Sequence, residues 1–173
     1  MIYLAIVVLT TLWFIVCGIL NDQITIRICA EYFTIFHRPL VASTDITVIA
    51  VAWGIVASWW VGLLVGLAQA LIIRLLSMKD IDVKRLMRLG LRLTLITFGI
   101  CIVAGVLGHL AATTQFIPVS YWFPKIPPVA GARFLAVLFW HNALYACAVF
   151  SGLILCVMIF RWGHKGRKLA SYT

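Results

Sequence analysis

"ITVIAVAWGIVASWWVGLLVGLAQALIIRLL", residues 46–76, carries a single charge, Arg74, near its end. At 1.5 Å per residue an α-helix of this length is about 45 Å long, against a bilayer hydrocarbon core of about 30 Å. It reads as a membrane span that tilts or projects beyond the bilayer. "STD" just before it supplies a helix N-cap at Thr44 or Asp45. Working outward, three more apolar runs have the length of a span, at 2–20, 93–112 and 134–160. The connections between them are 21–45, 77–92 and 113–133, with a tail at 161–173. The first span has no basic n-region and no A-x-A site, so it reads as a retained helix rather than a cleaved signal.

Composition agrees. The 173 residues are 64% hydrophobic and 11% charged, whereas a soluble domain is about half apolar and about 25% charged. The chain is one integral membrane domain with no room for a second globular one. The net charge of +9 does not point to nucleic acid, because the basic residues flank spans as topology signals do. Arg74, Lys79, Lys84, Arg85, Arg88, Arg92, Arg161, Lys165, Arg167 and Lys168 lie on one side, and Arg27, Arg38, Lys125 and Arg133 on the other. Ten against four makes the first side cytoplasmic and the second the outer face. The expected location is the inner (plasma) membrane, with both termini in the cytoplasm.

The outer connection "NDQITIRICAEYFTIFHRPL" (21–40) alternates Ile24, Ile26 and Ile28 with Thr25 and Arg27. That period of two in β-branched residues predicts a strand. The second outer connection offers Phe116, Ile117, Tyr121, Trp122 and Phe123 between prolines. The expected architecture is an all-α, four-helix transmembrane bundle with a small β/aromatic cap built by the two outer loops. "ITIRICAEYFT" followed by "STDITVIAVAWGIVASWWVGLLVG" resembles a family of small four-span bacterial membrane proteins, over roughly residues 20–70. The resemblance implies a bacterial source and brings no activity, cofactor or ligand.

Candidate functional residues fall into four groups. Arg27, Glu31, Tyr32, His37 and Arg38 crowd the first outer connection and predict contact with another membrane or periplasmic protein. His109 and His141 are expected at similar depth in neighbouring spans. They predict interhelical hydrogen bonds with Asn142, Tyr145 or Gln115, or, less strongly, a proton path or a haem or transition-metal site. Gly62, Gly66 and Ala70 are spaced by four, as a close helix-packing seam requires, within the bundle or between copies of the chain. Lys84, Arg85, Arg88 and Arg92 sit on the polar face of an amphipathic segment and suit anionic lipid headgroups. The five cysteines, Cys17, Cys29, Cys101, Cys147 and Cys156, have no CxxC spacing. No GxSxG, HExxH or P-loop is present, so no enzyme class is indicated and no cofactor is expected.

A coupled carrier buries a carboxylate at mid-membrane, yet all five acidic residues fall in predicted connections. The sequence therefore favours a non-catalytic accessory, assembly or scaffold subunit. The alternatives are a small oligomeric transporter or channel, and a haem- or metal-binding electron-transfer protein using His109 and His141.

Overall fold

The structure, a computed structural model, describes residues 2–78 and 81–170, with side chains to His164. Four helices are long and apolar enough to cross a membrane. They are α1 (Ile2–Ile28), α2 (Ile46–Leu75), α3 (Val83–Thr113) and α5 (Gly131–Ala170); a short helix, α4 (Val119–Trp122), lies in the connection between α3 and α5. The side chains of Lys79, Asp80, Lys165, Arg167 and Lys168, which enter the charge count above, lie outside the described residues.

The expected β/aromatic cap is absent: no strand occurs among the described residues. "ITIRI" instead completes α1, which runs eight residues past the predicted end of the first span. In hydrocarbon a backbone must satisfy its own polar groups, which a helix does and a lone strand cannot. The buried residues Asn21, Asp22, Thr25, Ile26 and Cys29 recur at helical spacing, so the inward stripe has a period of 3.6 rather than two. The chain then makes a π-helical turn, Tyr32–Phe36, which tucks Tyr32 and Phe33 into the bundle end. The fourth span likewise runs past its predicted end at 160, since α5 continues as helix to Ala170.

Side-chain caps start two of the helices. Asp45 accepts from Thr47 N at 2.7 Å ahead of α2, and Asp82 accepts from Arg85 N at 2.9 Å ahead of α3. The α3 helix is continuous from the amphipathic segment into the span. Lys84, Arg85, Arg88 and Arg92 are all exposed on it, and the Arg85 guanidinium lies 4.2 Å over the Trp162 ring, tying α3 to α5.

The helices pair as two hairpins. α1 packs closely on α2, and α3 on α5; α2 joins the hairpins through α5, while α1 and α3 barely touch. Glycines make both close pairings. A Cβ on Gly62 would lie 2.8 Å from Phe14 Cβ, one on Gly66 2.9 Å from Val7 Cα, and one on Gly54 2.5 Å from Ile19 Cα. The predicted glycine seam thus faces α1 of the same chain, extended by Gly54 and by Gly18 across from it. In the other hairpin Gly108 is pressed on the Leu135 backbone. Apolar clusters close the two ends of the bundle. One, at the aromatic end, gathers Ile26, Phe33, Ile126 and Phe134; the other, at the basic end, gathers Ile6, Ile73, Leu86 and Ile159.

Gly54→Ala should lower stability by about 1–3 kcal/mol, the usual cost of overpacking. A Cβ at Gly99 meets nothing within 4 Å, so Gly99→Ala should cost nothing. Thermal unfolding of both variants in one detergent checks the contrast.

Candidate functional site

Between the two apolar ends lies a polar cluster that joins Asn21 and Asp22, expected in the first outer connection, to Trp140 and His141 of the fourth span. Asp22 on α1 and His141 on α5 are 5% and 3% exposed. His141 Nε2 stands 3.2 Å from Asp22 Oδ1. Asn21 is fully buried beside them.

The partners of this cluster fix its hydrogens. An indole N–H only donates, and Trp140 Nε1 lies 2.7 Å from Asn21 Oδ1. The Asn21 amide nitrogen is therefore turned toward Asp22 Oδ1, at 3.0 Å. A carbonyl only accepts, and His141 Nδ1 lies 3.0 Å from Val137 O; Nδ1 therefore carries a hydrogen. The contact between Nε2 and Asp22 needs a second one. Imidazolium with carboxylate, or imidazole with carboxylic acid, both supply it. A hydrogen there makes the pair neutral as a whole; without it, a neutral imidazole accepts at Nε2 from Asn21 Nδ2 instead. Asn21 Nδ2 is also 3.4 Å from His141 Nε2, so it reaches both members.

Asp22 and His141 line the end of a cavity of about 100 Å3 between the four long helices. Its walls include Trp13, Phe14, Phe98 and Tyr145, with the hydroxyls of Ser58, Thr94, Thr97 and Ser151. Trp13 Nε1 donates to Thr94 Oγ1 at 3.2 Å, bridging α1 and α3 where those helices otherwise stand apart. A second cavity of about 50 Å3 shares Trp13, Phe14, Gly90 and Leu155 with the first and reaches Gln69. There Thr10 Oγ1 donates to Gln69 Oε1 at 2.9 Å.

The expected site residues divide. Tyr32 is buried and stacks on the His141 ring at 4.6 Å, with its phenol pushed up by burial first and by the nearby Tyr145 and Asp22 next. His37 is half-buried between Tyr32 and Trp53, with ring centroids 4.9 Å away in both cases. Trp53 Nε1 is buried without an acceptor among the described residues. Glu31 accepts from Cys29 Sγ at 3.3 Å and stands 3.9 Å from Arg133. Burial, then Glu31, raises the Cys29 thiol to about 11, which leaves it protonated and unreactive. Arg27 is exposed and bonded to Gln23 and Thr47. Arg38 is exposed. The first connection therefore presents less to a partner than expected, because Tyr32 and His37 turn inward.

The paired histidines are not brought together. His109 is exposed on α3 while His141 is buried, and Gln115 and Asn142, expected hydrogen-bond partners, are exposed as well. Tyr145 lies 6.3 Å from His141, ring to ring. Among the described residues no group of three or more His, Cys, Asp or Glu side chains is placed to hold a metal. The sequence reading missed Asn21, Asp22 and Trp140. The available signal was that Asn21, Asp22 and Thr25 continue the inward stripe of α1. Comparison with protein-family models, curated proteins and solved structures finds no match to this chain.

Trp140→Phe leaves Asn21 Oδ1 buried without its donor and should cost about 1–3 kcal/mol, read as a lower unfolding temperature. Burial, reinforced by His141 and opposed by Asp22, lowers the His37 imidazole below its ordinary 6.5. As pH falls through 6.5, the unfolded chain takes up this proton before the folded one does, so stability drops. His37→Gln should remove that part of the loss, measured by unfolding from pH 7.5 down to 5.

Proposed function

We propose that the protein is a small proton-linked carrier of a bacterial inner membrane, with both termini in the cytoplasm. The observation that carries this reading is the buried Asp22–His141 pair at the end of an intramembrane cavity. An ionisable pair in a span is costly, and where it occurs it commonly marks a substrate or proton path. The sequence argument against a carrier was that every carboxylate lay in a connection at the membrane surface; Asp22 instead lies within α1 and is buried. The distribution of Lys and Arg supports the orientation, which puts the pair toward the outer leaflet. Two hairpins, tight within and loose between, supply units whose relative motion opens and closes the cavity. That motion is the carrier's means of exposing the site to each side in turn.

The second reading is an accessory or assembly subunit. Its support is the connection between α3 and α5, where Phe116, Tyr121, Trp122 and Val129 are all exposed. Such residues suit contact with a partner protein or the headgroup region. Lys84, Arg85, Arg88 and Arg92 suit anionic headgroups at the cytoplasmic side in either case.

The carrier reading is tested in sealed vesicles that hold the purified protein and a pH-sensitive dye. A panel of lipid-soluble cations, neutral solutes and anions is added outside. At least one class should move protons with the wild type and not with Asp22→Asn or His141→Gln, both first shown to insert and keep the native mass. No solute-dependent proton movement in the wild type would sink the carrier reading. A second polypeptide bound at fixed ratio in native mass spectrometry would put the accessory reading in its place.

A further inference from the structure

The Asp22–His141 cavity has a chemical bias of its own. Asp22 uses Oδ1 for both Asn21 and His141. Its Oδ2 accepts no hydrogen bond from the described residues and is not sealed in protein, while the side chain lines the cavity. One carboxylate oxygen is thus left for whatever enters. Trp13, Phe14, Phe98 and Tyr145 surround that space, and no Lys or Arg lines it. Aromatic faces and a free carboxylate oxygen in a water-poor site are the recognition chemistry of an organic cation. The gap between α1 and α3, bridged by Trp13 and Thr94, gives an apolar cation a way in from the bilayer.

We infer that this cavity binds a lipid-soluble monovalent organic cation in exchange for the proton held between Asp22 and His141. The inference names the substrate of the carrier reading and rests on it for transport, though binding and proton release stand apart from transport. Before exchange the pair is neutral. The cation brings one positive charge to Asp22 Oδ2, and the proton bridging Nε2 and Oδ1 leaves for solvent, so the site stays neutral and no covalent bond between heavy atoms changes. Imidazole keeps its Nδ1 hydrogen on Val137 O. Nε2, now a lone pair, has Asn21 Nδ2 within reach as a replacement donor. The other titratable groups around the pair are Tyr32, stacked on the imidazole, His37 beyond it, Tyr145 one turn along α5, and Cys17 further down α1. Burial holds the Tyr32 phenol in its protonated form, so the proton that leaves comes from the pair.

The test is calorimetry on the full chain in zwitterionic nanodiscs, with empty nanodiscs subtracted. The probe is benzyltrimethylammonium, which carries no acidic proton, and the control is its uncharged carbon isostere, neopentylbenzene. Titration in two buffers of different ionisation enthalpy counts the protons released. The wild type should bind the cation with one proton released per cation and show no release with the isostere. Asp22→Asn should lose the release and weaken the cation by tenfold or more, about the worth of a desolvated charge contact. Phe98→Leu, which leaves the pair intact, should weaken the cation several-fold without changing the proton count. It serves if Asp22→Asn does not fold. Equal binding of cation and isostere, or cation binding without proton release, overturns the proposal. Proton movement in the vesicle assay with neutral or anionic solutes, but no cation binding here, overturns the cation assignment and leaves the carrier reading standing. Cation binding with release here, but no proton movement in vesicles, keeps the site and overturns the carrier.

Discussion

The hydrogen bond between Asp22 and His141 joins helices that little else connects. α1 belongs to one hairpin and α5 to the other, and their contact is slight along most of their length. Two ionisable groups buried between spans are each expensive alone; together they form a neutral pair whose remaining atoms are largely satisfied by Asn21, Trp140 and Val137. That requirement sets the rotation of α1 about its axis. With Asp22 turned inward, Thr25, Ile26 and Cys29 must follow on the same stripe, and the π-helical turn beyond them delivers Tyr32 onto the imidazole. The whole aromatic end of the bundle is arranged around one buried polar contact.

The cavity below the pair follows from where the small residues lie. Without a hydrophobic drive in lipid, helices approach closely only where side chains are small enough to let them. Gly18, Gly54, Gly62 and Gly66 do this between α1 and α2, and Gly105 and Gly108 do it between α3 and α5. No glycine pair serves α1 and α3. Those helices barely touch, and Trp13 and Phe14 of α1 and Leu93 and Phe98 of α3 line the space between them. Apolar clusters seal the bundle at both ends, so the space is internal in height and loosely walled on one side.

Much of this was legible in the sequence. The four spans, the Asp45 cap, the glycine seam and the basic amphipathic start of α3 follow from length, capping chemistry and spacing. What misled was the polar run at Asn21. Three polar residues after an apolar stretch read as the end of a span when solvent is assumed to be their partner. Here Asn21 and Asp22 have partners 119 and 120 residues away in the chain, Trp140 and His141, and a partner that distant cannot be read from local pattern. The same error turned "ITIRI" into a strand. Its isoleucines alternate, yet the residues that pack inward are spaced as on a helix. His109 and His141 were paired by depth alone. Depth does not set rotation, and His109 is exposed on α3 while His141 is buried on α5.

A neutral pair is tolerable inside a membrane, yet it stays chemically incomplete. Trp140 and the Val137 carbonyl fix which atoms of Asn21 and His141 face the pair. Asn21 Nδ2 stands within reach of both the carboxylate and the imidazole, ready to donate to whichever remains. Asp22 Oδ2 accepts no hydrogen bond from the described residues, and Asp22 lines the cavity. In the proposed exchange the first feature would lower the cost of removing a proton from Nε2, and the second would give the cation its place. A purely structural ion pair needs neither, since its stability improves when every acceptor is filled from within the protein. The unfilled oxygen and the doubly placed amide are the two features on which the exchange proposal rests.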